Sequence, residues 1–147
     1  MKRFLLILGS VFLITFLSWS NSVFSGELPW QFSKEAAFAK ATTENKKIVL
    51  LVGRNGCKNC NYMIFTVFES VKPPVKDLLQ KKYVLWFANA DESKEWYPYA
   101  RELEEIKLPL ICIIDPDSTQ KYEDRTTGRQ HSPTLYTKLL KYAEKQN

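Results

Sequence analysis

One histidine, three cysteines and five glycines in 147 residues exclude several functions before any motif is considered. Structural zinc sites use four ligands drawn mainly from cysteine and histidine. Here the one imidazole, His131, stands far along the chain from Cys57 and Cys60. Three cysteines (Cys57, Cys60, Cys112) are too few for a disulfide framework, and the odd number leaves one over. No single charge dominates. The 21 basic and 16 acidic residues give a formal charge of +5, of which Lys2 and Arg3 supply two units. The basic residues are interspersed with acidic ones, so the stripe that marks a nucleic-acid-binding protein is missing and no nucleic-acid partner is expected. No repeat, low-complexity segment or interdomain linker divides the chain, whose length suits one domain. Apolar residues are plentiful, at 45% with 14% aromatic, and a packed core follows from that.

The longest apolar run lies at the start. Met1-Lys2-Arg3 is basic, Phe4 to Trp19 is almost wholly apolar, and Val23-Phe24-Ser25-Gly26 follows a short polar stretch. A charged start, an apolar stretch and a small residue at a cut form the layout of a secretory signal peptide. Residues 1–25 are therefore expected to be a signal peptide, cut after Ser25 or after Ser22, or else retained as an N-terminal anchor. No cysteine near the cut supports a lipid-modified terminus. The remaining 26–147 are expected to fold as one exported domain, periplasmic or otherwise outside the cytoplasm, where a disulfide persists.

The chain is organised around Lys47 to Cys60. Ile48-Val49-Leu50-Leu51-Val52 is short, aliphatic and bounded by Lys47 and Gly53, the pattern of a buried strand. Arg54-Asn55-Gly56 cannot continue it. Met63, Ile64, Val67 and Phe68 then recur at helical spacing. Cys57 is thus expected at a helix N-terminus, where unpaired N–H groups and the helix dipole stabilise a thiolate. Lys58 adds a positive charge, and one helical turn brings Cys60 within bonding reach of Cys57. The leading reading is a redox dithiol in which Cys57 attacks and Cys60 resolves, with a metal half-site and a purely structural disulfide as the alternatives.

The rest alternates helix and strand. Ser33 caps a helix to about Glu44. Pro73-Pro74 breaks the cysteine helix, and Val75 to Lys81 forms a short one. Tyr83 to Ala88 and Leu108 to Ile114 are further buried strands, with a helix expected over Trp96 to Ile106 between them. Gln120 to Arg125 is expected as an edge strand after the Asp115-Pro116-Asp117-Ser118 turn, and a last helix follows Ser132-Pro133. The order implies an α/β fold: a central mixed sheet of about four to five strands flanked by helices, with a final hairpin adding an antiparallel edge to parallel strands. Cys112 is expected as a small core residue, His131 as a surface residue, and Trp96, Tyr97 and Tyr99 as packing residues.

The chain resembles the thioredoxin superfamily, and within it the exported thioredoxin-like domains related to the C-terminal domain of DsbD. The resemblance runs from about Trp30 to Lys145. It rests on Asn45-Lys46-Lys47, Cys57-Lys58-Asn59-Cys60, Met63, Thr66-Val67-Phe68, Pro109 before a strand, Asp115-Pro116-Asp117, and Gly128. It implies a thioredoxin-like fold with Pro109 as a cis-proline beside the dithiol, and with Leu108 offering backbone groups to an extended substrate segment. Three departures accompany it: Leu108 where threonine or valine is common, Gly56 where tryptophan often precedes the first cysteine, and Leu51 where thioredoxin has a buried acid. Glu69 and Asp91 are the remaining acids that the order of elements brings near, and both read first as surface charges.

The activity implied is that of an exported thiol–disulfide oxidoreductase. It would reduce disulfides of partner proteins and be re-reduced by a membrane electron donor, with no cofactor. A second expectation, from another class, is a non-catalytic module of the same fold that serves in metal (copper) delivery or as an assembly partner. Its dithiol would hold Cu(I), with Met63 as a third soft ligand.

Overall fold

The structure is a computed structural model and describes residues 27–143. The expected signal peptide at 1–25 lies outside the described residues.

β2 (Lys47–Gly53) is buried along its whole length. Neighbouring strand residues point to opposite faces, so an apolar run without alternation needs cover on both sides of a sheet. It has that cover. Val49 and Leu51 pack with Leu85, Ile111 and Ile113 against Met63, Ile64, Val67, Leu79, Leu135 and Leu139. Ile48, Leu50 and Val52 pack with Val84, Trp86, Leu110, Cys112 and Ile114 against Ala37, Ala41, Tyr99 and Ala100. The first face is closed by α2 (Lys58–Tyr62) and the π-helical turn Met63–Val67 that continues it, by α3 (Val75–Lys82), and by α5 (Ser132–Ala143). The second is closed by α1 (Lys34–Glu44) and α4 (Tyr97–Ala100).

The helix starts and stops follow local chemistry. Ser33 Oγ accepts from the Ala36 N–H at 3.2 Å and caps α1. Asn45, at φ 50°, ends it in the left-handed conformation that asparagine tolerates. The Lys72–Pro73 peptide is cis, in the break ahead of α3.

The sheet has five strands in the order β1-β3-β2-β4-β5. β1 (Trp30–Gln31) and β2 both run parallel to β3 (Tyr83–Asn89). β4 (Leu110–Ile114) is antiparallel to β2, and β5 (Asp124–Thr127) is antiparallel to β4. This is the expected mixed sheet flanked by helices, with corrections. Antiparallel pairing begins one strand earlier than expected. The reason lies in the register: Asn89 pairs with Gly53 and Leu110 with Val52, so β3 ends and β4 begins at the same end of β2. The chain re-enters the sheet at the end where it left it, and β4 therefore runs back against β2.

The helix expected over Trp96 to Ile106 is a single turn, Tyr97–Ala100. Arg101 is extended and Glu102 stands at φ 70°. The Arg125 guanidinium donates to the carbonyls of Tyr99 at 3.0 Å and Arg101 at 2.7 Å. A side chain from β5 thus takes the bonds that continuing helix would have used, and Ile106 is left 42% exposed. β5 itself falls on Asp124–Thr127, shifted along from the expected Gln120–Arg125, and the short β1 was expected only as a lead-in.

At the end of the sheet away from the cysteines, Lys47 Nζ is buried against Glu123 Oε2 at 2.7 Å and the Tyr142 carbonyl at 3.2 Å. This ties β2 to the segment before β5 and to α5.

Candidate redox-active site

Cys57 is the N-cap of α2, at φ −76° and ψ 103°. Its Sγ accepts from the Cys60 N–H at 3.1 Å, and its carbonyl accepts from the Asn61 N–H at 3.0 Å. A sulfur thus takes the capping role of a serine or aspartate oxygen, and the same N–H can stabilise a thiolate. The two cysteines are joined as a disulfide, with Cα atoms 5.2 Å apart. Their exposure differs: Cys57 is partly open to solvent, whereas Cys60 is 1% exposed.

The loop before Cys57 explains the missing tryptophan. Gly56 has φ +75°, and the Cys57 N–H closes the turn onto the Arg54 carbonyl at 3.3 Å. A side chain in this left-handed conformation would be strained, so glycine fits and tryptophan does not.

Gly53, at the end of β2, was not singled out by sequence reasoning. A Cβ there would lie 3.3 Å from Cys60 Cβ, 3.4 Å from Cys60 Sγ and 3.1 Å from Phe87 Cε2. The missing side chain lets the buried cysteine seat directly on the strand. Its one signal was a glycine ending an otherwise aliphatic run.

The Leu108–Pro109 peptide is cis. Pro109 is buried and leads into β4 at the end of the sheet that carries the cysteine loop. The Gly128 N–H donates to the carbonyls of Pro109 at 2.8 Å and Lys107 at 3.1 Å, which joins the segment after β5 to this loop. The next residues reach the cysteine helix. The Arg129 guanidinium lies 3.5 Å from the Tyr62 ring centroid, and the Gln130 N–H donates to Met63 Sδ at 3.3 Å. Sequence reasoning noted Gly128 but missed Arg129, Gln130 and Tyr62, because only the fold brings them to α2.

Leu51 is fully buried where thioredoxin has an acid. Glu69 Oε2 binds Lys76 at 2.8 Å, and Glu69 Oε1 accepts the Glu27 N–H at 3.1 Å. Asp91 is exposed and pairs with Arg54 at 3.7 Å. Both acids therefore serve surface pairs. Cys112 is buried on the sheet face covered by α1 and α4, across the sheet from the helix that carries Cys60. Burial pushes its thiol up to about 12, so it stays protonated and inert at neutral pH. Met63 is buried and its sulfur is engaged by Gln130. Among the described residues no group of three histidine, cysteine or acidic side chains is placed to hold a metal ion. Trp96 and Tyr99 are buried, with Tyr99 edge-on to Trp86 at 5.7 Å, so that aromatic cluster is mainly packing. His131 is exposed at the entrance to α5.

A thioredoxin-like family model matches residues 29–116, and the chain belongs to that family. No curated protein matches it. Among solved structures it is similar to a thioredoxin from Thermus thermophilus, with 20% identity, 83% of this chain and 92% of that chain covered, and a TM-score of 0.67. A poplar thioredoxin h is 13% identical, with 80% and 96% covered and a TM-score of 0.57. A chloroplastic thioredoxin z is 14% identical, with 76% and 90% covered and a TM-score of 0.53. The fold is therefore that of thioredoxin, with a cysteine pair close enough to form a disulfide, an arrangement suited to thiol–disulfide oxidoreduction.

Proposed function

We propose that the protein is an exported thiol–disulfide oxidoreductase that reduces disulfides of partner proteins through Cys57 and Cys60. The observation that carries this reading is the asymmetry of the pair: a partly exposed Cys57 whose sulfur caps α2, bonded to a buried Cys60. The Cys57 thiolate attacks one sulfur of the target disulfide, forms a mixed disulfide and expels the other target sulfur as a thiolate. Cys60, deprotonated, then attacks the Cys57 sulfur, closes the internal disulfide and releases the second target sulfur. Two electrons pass from the dithiol to the target, and two protons end on its thiols. On this reading an extended target segment lies along the backbone of Leu108 and Pro109, a role supported by the cis Leu108–Pro109 bond at the cysteine end of the sheet.

Export is supported by the basic start and apolar stretch of residues 1–25. In an oxidising compartment the dithiol needs an electron supply, so a membrane donor that presents its own dithiol completes the cycle. The test is Cys60→Ala expressed in cells that export the protein. Mixed disulfides through Cys57 should accumulate and dissolve on reduction. Recovering no trapped partner would overturn the mechanism.

A further inference from the structure

Two cations adjoin Cys57 along the chain and a third reaches the same helix from another segment, and together they form a basic rim. Arg54 begins the turn that the Cys57 N–H closes, and Lys58 is the first residue of α2. Arg129 comes from the segment after β5, between the Pro109 loop to which Gly128 is bonded and the helix whose Tyr62 ring it covers. The only acid paired into this rim among the described residues is Asp91, on Arg54 at 3.7 Å, and neither Lys58 nor Arg129 enters an ion pair among those residues. Arg129 is also held in place. Tyr62 packs against the core, and the exposed Arg129 is held with its guanidinium 3.5 Å over that ring. A fixed guanidinium loses little freedom when it grips a carboxylate, and it does so through two parallel hydrogen bonds.

We propose that this rim selects target proteins whose reducible disulfide is flanked by aspartate or glutamate, with Arg129 as the residue that reads the flanking carboxylate. The inference rests on the reductase reading and names the substrate class of that same site. On this proposal a target segment lying along Leu108 and Pro109 runs beside Gly128, which is bonded to the Pro109 carbonyl, and so meets Arg129 next to it, with Lys58 following the cysteine it must reach. Acidic flanks meet complementary charge at both ends, and basic flanks meet like charge at both.

The test uses pre-reduced protein in single turnover, so that no electron donor is required. Two disulfide-bonded peptides of the same length are compared, one with aspartates and one with lysines beside the cysteine. A small neutral disulfide, hydroxyethyl disulfide, is the third probe. The aspartate peptide is expected to react about tenfold faster than the lysine peptide at low ionic strength, with the ratio falling toward about twofold at 0.5 M salt. Arg129→Glu should reduce or invert the ratio, and Lys58→Glu should lower it. The ratio is the readout because a change in thiol reactivity affects both peptides alike. Equal rates for the two peptides, with hydroxyethyl disulfide still reduced, would overturn this inference and leave the reductase reading standing. No reduction of any probe would overturn both.

Discussion

Gly53→Ala sets two opposed effects against each other, and their sizes decide the outcome. Gly53 lies in regular β2 pairing, with its carbonyl accepting the Ala90 N–H at 2.7 Å, so alanine suits the backbone. Replacing glycine at such a site stabilises a protein by about 0.4–1 kcal/mol through the unfolded chain. Against this stands the new methyl group, 3.1 Å from Phe87 Cε2, 3.3 Å from Cys60 Cβ and 3.4 Å from Cys60 Sγ. The first two are tighter than ordinary van der Waals contact, and the third sits at its inner edge. The half-buried Phe87 ring can shift, but Cys60 is held by α2 and can move only with it. Overpacking of this kind costs about 1–3 kcal/mol. The net expectation is a loss of about 1–2 kcal/mol, or roughly 4–8 °C in melting temperature for a domain of this size. The resolving sulfur is also displaced by a few tenths of an ångström, which should slow its attack on a mixed disulfide by about three- to tenfold. Thermal unfolding of the oxidised protein and the decay of a mixed disulfide at Cys57 measure the two effects. A variant as stable as the parent, with unchanged decay, would refute the close approach of β2 to the dithiol.

Two further predictions concern the scaffold. Lys47→Met leaves Glu123 facing a buried pocket without its partner and should cost about 3 kcal/mol in urea unfolding, with part recovered when Glu123→Leu is added. The second concerns alkaline pH. Burial pushes the thiol of Cys112 and the phenol of Tyr99 each up to about 12, and pushes the Tyr83 phenol up as well. Below about pH 8 both folded and unfolded chains hold these protons, and stability is complete. The Cys112 thiol proton is the first to be lost from the unfolded chain, as pH rises through about 9. Between about pH 8 and 12 the unfolded chain sheds protons that the folded chain keeps, so stability falls as pH rises. Urea midpoints at pH 8, 10 and 11 should drop in that order, and Tyr99→Phe should soften the drop between pH 10 and 11.

The parts of the fold that rest on local pattern were legible in the sequence. Ile48 to Val52, Tyr83 to Ala88 and Leu110 to Ile114 are aliphatic or aromatic runs that only a doubly covered sheet can bury, and Ser33 capped its helix as expected. The Cys57–Cys60 spacing, before a helix and after a buried strand, placed the disulfide-forming pair. Contacts distant in sequence decided the rest. The helix at Tyr97 stops after one turn because Arg125, from another strand, binds its carbonyls. The direction of β4 depends on which end of β2 the chain re-enters, and no periodicity encodes that. Nothing in the sequence marked Arg129, which the fold sets over Tyr62.

The reduction potential of the Cys57–Cys60 pair, equilibrated against defined thiol buffers with Cys112 left in place, tests the central claim most directly. The account predicts one reversible two-electron couple near the thioredoxin value of about −270 mV, the potential of a reductant with a dedicated electron supply. A value near −120 mV would make the protein an oxidant and reverse the proposed electron flow. Failure to form any reversible disulfide between Cys57 and Cys60 would contradict the redox reading itself.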